Sequence, residues 1–335
     1  MIAVFAIPSI VTISHEKRLL DEPNGRTIHL KSTPRLGGLA IFAGFLSALT
    51  IFGSFHSDGE DNGIQRLIAG CSVLFFIGLK DDIVNVSAFK KFFVQVLATS
   101  IVLFLGDIRI RSFQGLFGIG VLPEGISYAF SMFVIIGVTN ALNLIDGLDG
   151  LAGTIICIIT ACFGVYFYLY GGIKFGAYTE VASCLIGGIL AFLRYNMHKA
   201  VIFMGDAGAL VCGYIVSVLA IQFVEMDKTP ANPTIALAIL FVPIYDTLRI
   251  FTIRLLQGKS PFSPDKNHIH HRFLSFGFSQ VATVATLAGL NLAVIAFAIL
   301  TSHWGSNLQL VSILGFSVVL SVFLEMVPKF RKVSA

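Results

Sequence analysis

Charged residues are scarce in this chain: only 13% of its 335 residues are Asp, Glu, Lys or Arg. A soluble domain carries roughly 25%. Hydrophobic residues reach 56%, and the 32 Gly fit a bilayer protein, because Gly is commoner in membrane helices than in soluble ones. The composition therefore predicts a single integral membrane domain over residues 1–335, although length alone would suggest two soluble domains.

Other absences exclude further classes of protein. The net charge of +4 is small, and the sequence has no run of basic residues interleaved with aromatics. We therefore expect no nucleic-acid partner. No internal repeat is visible, although many secondary transporters carry one. The cysteines lie in apolar runs without CxxC pairs or zinc-ligand spacing, so we interpret them as small core residues. They are Cys71, Cys157, Cys162, Cys184 and Cys212.

Eleven apolar runs predict an all-α polytopic membrane protein. A membrane helix needs about 20 mostly apolar residues. The first run, Met1–Ser14, is shorter. We expect either that this helix extends into the next turn or that the chain begins earlier. It lacks the basic region and cleavage site of a secretory signal. The other runs are Leu36–Phe55, Ile64–Leu79, Phe92–Gly106, Ile126–Leu142, Leu151–Tyr170, Tyr178–Arg194, Ala207–Val224, Thr234–Leu256, Val281–Thr301 and Leu308–Val327.

The distribution of Lys and Arg predicts the orientation, because cytoplasmic loops are enriched in both. If the loops alternate from a cytoplasmic first loop, the outer face receives only five of the 23 basic residues. We therefore predict an N-terminus outside and a C-terminus in the cytoplasm. On the outer face, short alternation and Gly turns predict a small β-hairpin within Asp107–Gly125.

Five polar clusters fall in loops on the predicted cytoplasmic face. The first runs from His29 to Gly38. Its Pro34-Arg-Leu-Gly-Gly38 turn could bring Arg35 and backbone N–H groups near a phosphate, or the loop is an ordinary basic flank. The second contains Asp81 and Asp82 at the end of the third span, where the helix dipole disfavours carboxylates. They either handle a divalent cation or phosphate, or form a solvated charge cluster with neighbouring lysines such as Lys91.

The third cluster repeats an amide or carboxylate every three residues, at Asn140, Asn143, Asp146 and Asp149. Neighbouring members of such a series share one side of a helix. Two Asp-Gly steps then break the helix. Four oxygen-bearing side chains suit Mg²⁺, and a polar turn with one Asp cap would explain only one of them.

The remaining clusters contain a carboxylate and several histidines. Asp206, in Met204-Gly-Asp206, is either a helix N-cap or a metal ligand, and the two roles are compatible. The fifth cluster has three histidines beside cations, without the cysteine or His-Glu-x-x-His pattern of a zinc site. Its members, which suit the oxygens of a diphosphate, are His268, His270, His271 and Arg272.

Asp246 and Arg249 lie three residues apart in the ninth span. We predict that they neutralise one another as an ion pair. The five clusters combine oxygen ligands for Mg²⁺ with cations for phosphate, and this combination indicates phosphoryl transfer. The acceptor should be membrane-bound, because the site adjoins the bilayer.

These motifs resemble those of the polyprenyl-phosphate N-acetylhexosamine-1-phosphate transferases, which include bacterial enzymes of O-antigen and other cell-wall glycans. The group also includes the related muramoyl-pentapeptide transferases. The resemblance covers about Asp21 to Gly277. It is carried by Pro34-Arg-x-Gly-Gly38, Asp81-Asp82, Asn140-x-x-Asn-x-x-Asp-Gly-x-Asp-Gly150, Met204-Gly-Asp206 and His268-Ile-His-His271. The histidine motif places the chain in the N-acetylglucosamine branch, outside the muramoyl-pentapeptide branch.

The resemblance implies a multi-pass enzyme of the bacterial inner membrane whose active site faces the cytoplasm. Undecaprenyl phosphate would attack a UDP-N-acetylhexosamine, most simply UDP-N-acetylglucosamine, and release UMP. The sequence leaves other N-acetylhexosamines and a homodimer open. Mg²⁺ is the expected cofactor, with Mn²⁺ as an alternative.

The resemblance also implies residue roles. Asn143 and Asp206 match metal-binding positions, and Asp81 and Asp82 match the acidic pair assigned to the acceptor or the metal. Asp146 with Asp149 matches the nucleotide-contacting region. We add the following as substrate-binding residues: Arg35, Lys91, Asn140, His268, His270, His271 and Arg272.

We expect direct in-line attack, because a phosphate monoester is already mostly ionised at pH 7 and a general base gains little. A covalent aspartyl-phosphate is the alternative route. A proton-coupled secondary transporter is the competing class. It is disfavoured because its relay residues would lie near the bilayer midplane, whereas these acids and histidines lie at the ends of spans.

Overall fold

The computed structural model describes residues 1–21, 32–53, 62–226, 232–261, 263 and 267–333, with side chains as far as Met326. By its internal contacts the chain forms two compact units, Met1–Ala231 and Asn232–Ala335. The helices of the first unit are α1 (Ile2–Glu16), α2 (Gly37–Phe52), α3 (Gly63–Val84), α4 (Ala88–Ser100, continued by a π-helical turn to Leu105), α5 (Glu124–Leu144), α6 (Leu151–Tyr170), α7 (Gly172–Asn196) and α8 (Gly205–Val224). Those of the second unit are α9 (Pro233–Ile239), α10 (Phe241–Leu256), α11 (Ile269–Ser275), α12 (Gln280–Leu300) and α13 (Ser306–Val333).

The helices confirm an all-α polytopic membrane protein. In the described ranges, seven helices are long and apolar enough to cross a membrane, or eight if α9 and α10 are counted as one bent span. The helices α1 and α2 are apolar but have only 15 and 16 residues. Length therefore accounts for two of the eleven predicted spans that the described structure does not support. The third, α3, is long enough at 22 residues but carries four charged residues, Arg66, Lys80, Asp81 and Asp82.

Two short antiparallel sheets accompany the helices. The strands β1 (Leu20–Asp21) and β2 (Thr33–Pro34) pair in one. The predicted hairpin is confirmed as β3 (Ser112–Leu116) paired with β4 (Ile119–Val121). Just before β3, the N–H and guanidinium of Arg111 both donate to the Glu225 carboxylate, which fixes the hairpin to the end of α8.

The helix α8 is the core of the first unit. Of its 20 residues, only Gly205, Asp206 and Gln222 are not buried, and α2, α3, α5 and α6 pack around it. Small residues permit this packing: a Cβ added to Gly38 or Gly78 would lie closer than 3.0 Å to the α8 backbone near Ala207. Close backbone approach at small residues is typical of membrane helix interfaces. It brings α2 and α3 directly against the first turn of α8.

The ninth predicted span is broken in the second unit. The chain bends by 84° between α9 and α10, where the sequence predicted one continuous helix over Thr234–Leu256. Pro243 has no N–H to donate to the Ile239 carbonyl four residues earlier, so one hydrogen bond of a continuous helix is lost at this point. The amide of Asn291 on α12 donates to this carbonyl at 3.1 Å and accepts from Val242 N–H at 3.0 Å. The freed backbone groups are therefore satisfied in an apolar setting.

Candidate active site

Four helices of the first unit meet at the N-terminus of α8. Asp206 lies in the first turn of α8, and Asp81 and Asp82 lie in the last turn of α3. Lys91 comes from the first turn of α4, and Asn143 from the last turn of α5. Three motifs separated by more than 50 residues each are therefore brought together, as the sequence predicted.

Lys91 lies between two carboxylates. Its Nζ is 2.7 Å from Asp206 Oδ2 and 3.0 Å from Asp81 Oδ2. The other oxygen of Asp206 accepts from the Asn143 amide at 3.2 Å, and the other oxygen of Asp81 accepts from Val86 N–H. Burial alone would raise the pKa of Asp81, but hydrogen bonds with Asp206, Val86 N–H and Lys91 lower this pKa below its ordinary value. The site thus already holds one cation between two carboxylates.

Asp82 caps the N-terminus of α8 from another helix. Its two oxygens accept from the N–H groups of Asp206 and Ala207, at 2.7 and 3.0 Å. These are N–H groups that have no partner within the helix, and the helix dipole favours a negative charge there. Burial, with smaller contributions from the charges of Asp206 and Asp81, raises the pKa of Asp82 to about 7.

Gly205 is required for this cap. Its φ of +70° is a conformation that L side chains rarely adopt. A Cβ at this position would also lie 2.7 Å from an Asp82 oxygen. A Cβ would also lie 2.0 Å from the Arg35 carbonyl, so the Met204-Gly-Asp206 motif needs Gly at its turn for both conformation and space.

The Pro34–Gly38 segment is held by the chain that precedes α8. Gly37 N–H donates to Phe203 O at 2.9 Å and Gly38 N–H to Met204 O at 2.8 Å. These two N–H groups already have partners and are therefore not available to a phosphate. Arg35 pairs with Asp21 at 2.7 Å, and its side chain remains 44% exposed and accessible to a ligand.

The four residues of the Asn140–Asp149 series have different surroundings. Only Asn143 contacts Asp206 directly. Asn140 forms a reciprocal amide pair with Gln95 of α4, at 2.6 and 3.3 Å, and this pair joins α4 to α5 one turn from Lys91 and Asn143. Gln95 was not identified from the sequence, although a polar side chain within an apolar span is itself a signal.

Asp146 and Asp149 lie in the turn between α5 and α6. Burial, followed by the charge of Asp206, raises the pKa of Asp146 to about 7, and Arg35 opposes this. Asp149 accepts from Ala200 N–H at 3.1 Å. Buried Asn196, which the sequence did not single out, links the same turn to the chain before α8 through Gly150 N–H and Ile202 O, both at 2.8 Å.

The histidine cluster belongs to the second unit and surrounds the start of α11. His268 Nδ1 lies 2.7 Å from Asp246 Oδ2. His270 is buried, and burial followed by the charge of His271 lowers the pKa of His270 to about 3, so it is a neutral imidazole. Arg272 contacts both Glu325 oxygens at 3.0 Å.

The predicted ion pair between Asp246 and Arg249 is wrong. Arg249 donates to Glu325 at 2.5 Å and to Asn267 O at 2.8 Å, whereas Asp246 contacts His268. The two side chains share one face of α10, but each has a better partner across the fold.

Among the residues that the structure describes, no three Asp, Glu, His or Cys side chains converge as a metal site. Mg²⁺ has a different requirement, because it is usually bound by one or two carboxylates, waters and substrate phosphates. Asp206 and Asn143 supply such a sparse oxygen set, and the Lys91 ammonium shows that a cation fits between Asp206 and Asp81.

Comparison with known proteins identifies similar chains. A sequence profile described as "Glycosyl transferase family 4" matches residues 64–224. A Bacillus subtilis protein named "Probable undecaprenyl-phosphate N-acetylglucosaminyl 1-phosphate transferase" is 33% identical over 281 residues, which cover 84% of this chain and 76% of that protein. The undecaprenyl-phosphate alpha-N-acetylglucosaminyl 1-phosphate transferase of Yersinia pestis is 31% identical over 284 residues, or 83% and 76%. The decaprenyl-phosphate N-acetylglucosaminephosphotransferase of Mycolicibacterium smegmatis is 30% identical over 332 residues, or 92% and 82%.

Proposed function

Because the chain belongs to the polyprenyl-phosphate N-acetylglucosamine-1-phosphate transferase family, we propose that it transfers N-acetylglucosamine 1-phosphate from UDP-N-acetylglucosamine to undecaprenyl phosphate. An oxygen of the lipid phosphate forms a bond to the sugar-bearing phosphorus, and the bond from that phosphorus to UMP breaks. The lipid-linked diphospho-sugar stays in the membrane and begins a cell-surface glycan.

The observation that carries this proposal is the cluster at the N-terminus of α8. It gathers Asp81, Asp82 and Asp206 with one lysine and one amide, at the ends of apolar helices. A charged, hydrogen-bonded group at the end of membrane helices suits a reaction between a water-soluble nucleotide and a lipid phosphate. Phosphoryl transfer itself needs mainly positioning and charge stabilisation.

Asp206 and Asn143 are the residues that we assign to Mg²⁺, with Mn²⁺ as a substitute. The bound ion would neutralise charge on the diphosphate of the donor. A half-turn of the Asn143 amide, whose oxygen and nitrogen are nearly indistinguishable in shape, presents its oxygen on the side of Asp206. Lys91 would then be released from Asp206 and become available to a phosphate oxygen.

Direct attack of the lipid phosphate is favoured over a covalent aspartyl intermediate. Both oxygens of Asp82 accept hydrogen bonds from the α8 backbone, and both oxygens of Asp81 accept from Val86 N–H and Lys91. A hydrogen bond to each of these oxygens lowers its nucleophilicity. The acceptor phosphate needs no general base, because its second pKa near 6 leaves it mostly ionised at pH 7.

Two sets of residues are assigned to the donor in this proposal. We assign Asp146 and Asp149 to the nucleotide, together with Arg35, and the histidine cluster with Arg272 to the sugar and diphosphate. The excess of basic residues in the loops that carry these groups supports an active site on the cytoplasmic side of the bacterial inner membrane.

The reaction is tested with purified full-length protein in detergent, with undecaprenyl phosphate, UDP-N-acetylglucosamine and Mg²⁺. We expect UMP release that depends on all three additions. A panel of other UDP-N-acetylhexosamines tests the choice of sugar, and no UMP from any of them would refute the transferase assignment. Exchange of labelled UMP into the donor without lipid acceptor would instead favour the covalent route.

A further inference from the structure

Asp246 is a buried carboxylate whose two oxygens have separate partners. Oδ2 lies 2.7 Å from Nδ1 of His268, and Oδ1 accepts from the backbone N–H of Ile269 at 2.7 Å. Asp246 is only 2% exposed and His268 8%. A buried carboxylate needs such partners, because an unpaired charge in this position would be costly.

The helix α10 holds the start of α11 at three points. Asp246 engages the side chain of His268 and the next backbone N–H, and Arg249 donates to the Asn267 carbonyl at 2.8 Å. Asp246 and Arg249 are three residues apart and share a face of α10. The segment that leads into the histidine motif is therefore fixed in both its backbone and its first ring.

We propose that Asp246 is a positioning residue that holds Nδ1 of His268 and thereby presents Nε2 of this ring to the donor substrate. This inference rests on the proposed function, in which His268 binds the sugar or diphosphate. Asp246 itself does not touch the substrate and acts only through His268.

The chemistry of the pair fixes which nitrogen carries a proton. A carboxylate only accepts, so Nδ1 of His268 must be the N–H donor, whether the ring is neutral or charged. The Asp246 contact leaves Nε2 for a ligand, as an acceptor from a hydroxyl in the neutral ring or as a donor to phosphate in the charged ring. Partners behind a ligating histidine commonly fix its tautomer and orientation in this way.

The Asp246→Asn variant changes this tautomer with little change in shape. An amide has one oxygen, and Ile269 N–H requires an acceptor. The amide NH₂ must therefore face His268, where it donates to Nδ1 and removes the proton from that nitrogen in the neutral ring. The backbone contact at Ile269 is kept, so the variant separates the ring's tautomer from the local fold.

A spectroscopic test reads the tautomer directly. Full-length protein labelled with ¹⁵N-histidine is compared with the His268→Gln variant, whose missing signals assign His268. We expect a protonated Nδ1 on His268 in the wild type and in Asp246→Glu, and an unprotonated Nδ1 in the neutral ring of Asp246→Asn. An unprotonated Nδ1 in the wild type would overturn the proposal, whether or not the Asn variant folds.

The kinetic test uses UMP release with UDP-N-acetylglucosamine. Asp246→Asn should lower kcat/KM by about 10–100-fold, the usual effect of losing such a partner. The matched control is Tyr245→Phe, the adjacent α10 residue, which loses its 3.0 Å contact with Ser321 and nothing at the histidines. Its kcat/KM should stay within about 2-fold of the wild type. Its melting temperature should fall by about as much as that of Asp246→Asn.

A double-mutant cycle then decides whether Asp246 acts through the ring. In the His268→Gln background, Asp246→Asn should change kcat/KM by less than about 2-fold, because residues that act as a unit are not additive. Losses that multiply would refute the positioning role. A wild type that releases no UMP would refute the proposed function instead, while the ¹⁵N result would still decide the state of His268.

Discussion

Replacing Lys91 by Met removes the only ammonium that the structure places between Asp81 and Asp206. The variant keeps most of the volume and the apolar stem of the side chain but leaves the two carboxylates, with Asp82 nearby, without a counter-charge. We expect two effects of opposite sign. The metal-free protein should become less stable, and Mg²⁺ should stabilise it more than it stabilises the wild type.

The size of the first effect follows from the geometry. At an effective dielectric constant of 20, the contacts at 2.7 and 3.0 Å each correspond to roughly 5–6 kcal/mol of gross attraction. Desolvation and lost side-chain entropy offset most of this. The Lys91 side chain is 25% exposed, so the net loss should fall between the values of exposed and buried pairs, at about 1–3 kcal/mol.

The assay is thermal unfolding in detergent with EDTA or with Mg²⁺, at pH 7.5 and at pH 5.5. Mg²⁺ at about 100 times its Kd adds about 2.7 kcal/mol, and the variant should reach this increment at a lower concentration because no ammonium competes for Asp206. At the lower pH the variant should approach the wild type, because Asp82, whose pKa is raised to about 7, is then protonated. Lys90→Met is the matched control, since Lys90 is the exposed neighbour on the same helix turn.

Two results would refute this reasoning. One is a Lys91→Met protein that is as stable as Lys90→Met in EDTA at pH 7.5. The other is an unchanged Mg²⁺ response, which would mean that Lys91 and the metal do not share the Asp206 carboxylate.

Four further predictions concern the same cluster. Asp206→Ala should abolish Mg²⁺-dependent UMP release while the protein still elutes as a folded species, and undiminished turnover would remove Asp206 from the metal site. In EDTA the free energy of unfolding should fall as the pH rises from about 4 to about 7. The pKa of Asp82 is about 7 in the folded protein and 3.8 ordinarily, so folding disfavours its ionised form over this range. A stability that does not change with pH over this range would contradict the raised pKa of Asp82. Gln95→Leu should cost about 1–3 kcal/mol by removing the Gln95 partners of the Asn140 amide, which keeps its bond to Ile136 O. Gln95→Leu with Asn140→Leu should cost less than the sum of the single changes, and strict additivity would argue against the pair. Gly205→Ala should lower both the melting temperature and turnover, and a fully active variant would show that the positive φ and the close Asp82 contact are unnecessary.

The apolar helices were largely predictable because long hydrophobic runs have few alternatives in a membrane. The bounds of α6, Leu151–Tyr170, are the same in sequence and structure, and other predicted spans differ by a few residues at each end. The break between α9 and α10 was missed, because average hydropathy does not register a single Pro243. Pro243 is the sequence signal for this break, but a proline alone does not predict one, because α1 continues through Pro8.

The site was predictable in its members but less so in its contacts. Sequence patterns place Asp81, Asp82, Asn143 and Asp206 at the ends of spans on one side, and the structure brings them together. The role of Asp82 as the cap of α8 depends on a helix crossing that no local pattern encodes.

The prediction for Asp246 failed for a related reason. Spacing along α10 identified Arg249 as the partner of Asp246. In the structure Asp246 instead contacts His268, at the start of α11, and Arg249 contacts Glu325 of α13. Local spacing cannot rank a neighbour on the same helix against a residue more than 20 positions away.

The Asn291 contacts at the break between α9 and α10 have a consequence for biosynthesis. The Ile239 carbonyl and the Val242 N–H obtain their partners from a helix that the ribosome makes later. Until α12 has been translated, these two backbone groups lack the partner that Asn291 provides in the folded protein. We therefore expect the α9–α10 bend to reach its final shape only after α12 has packed against it.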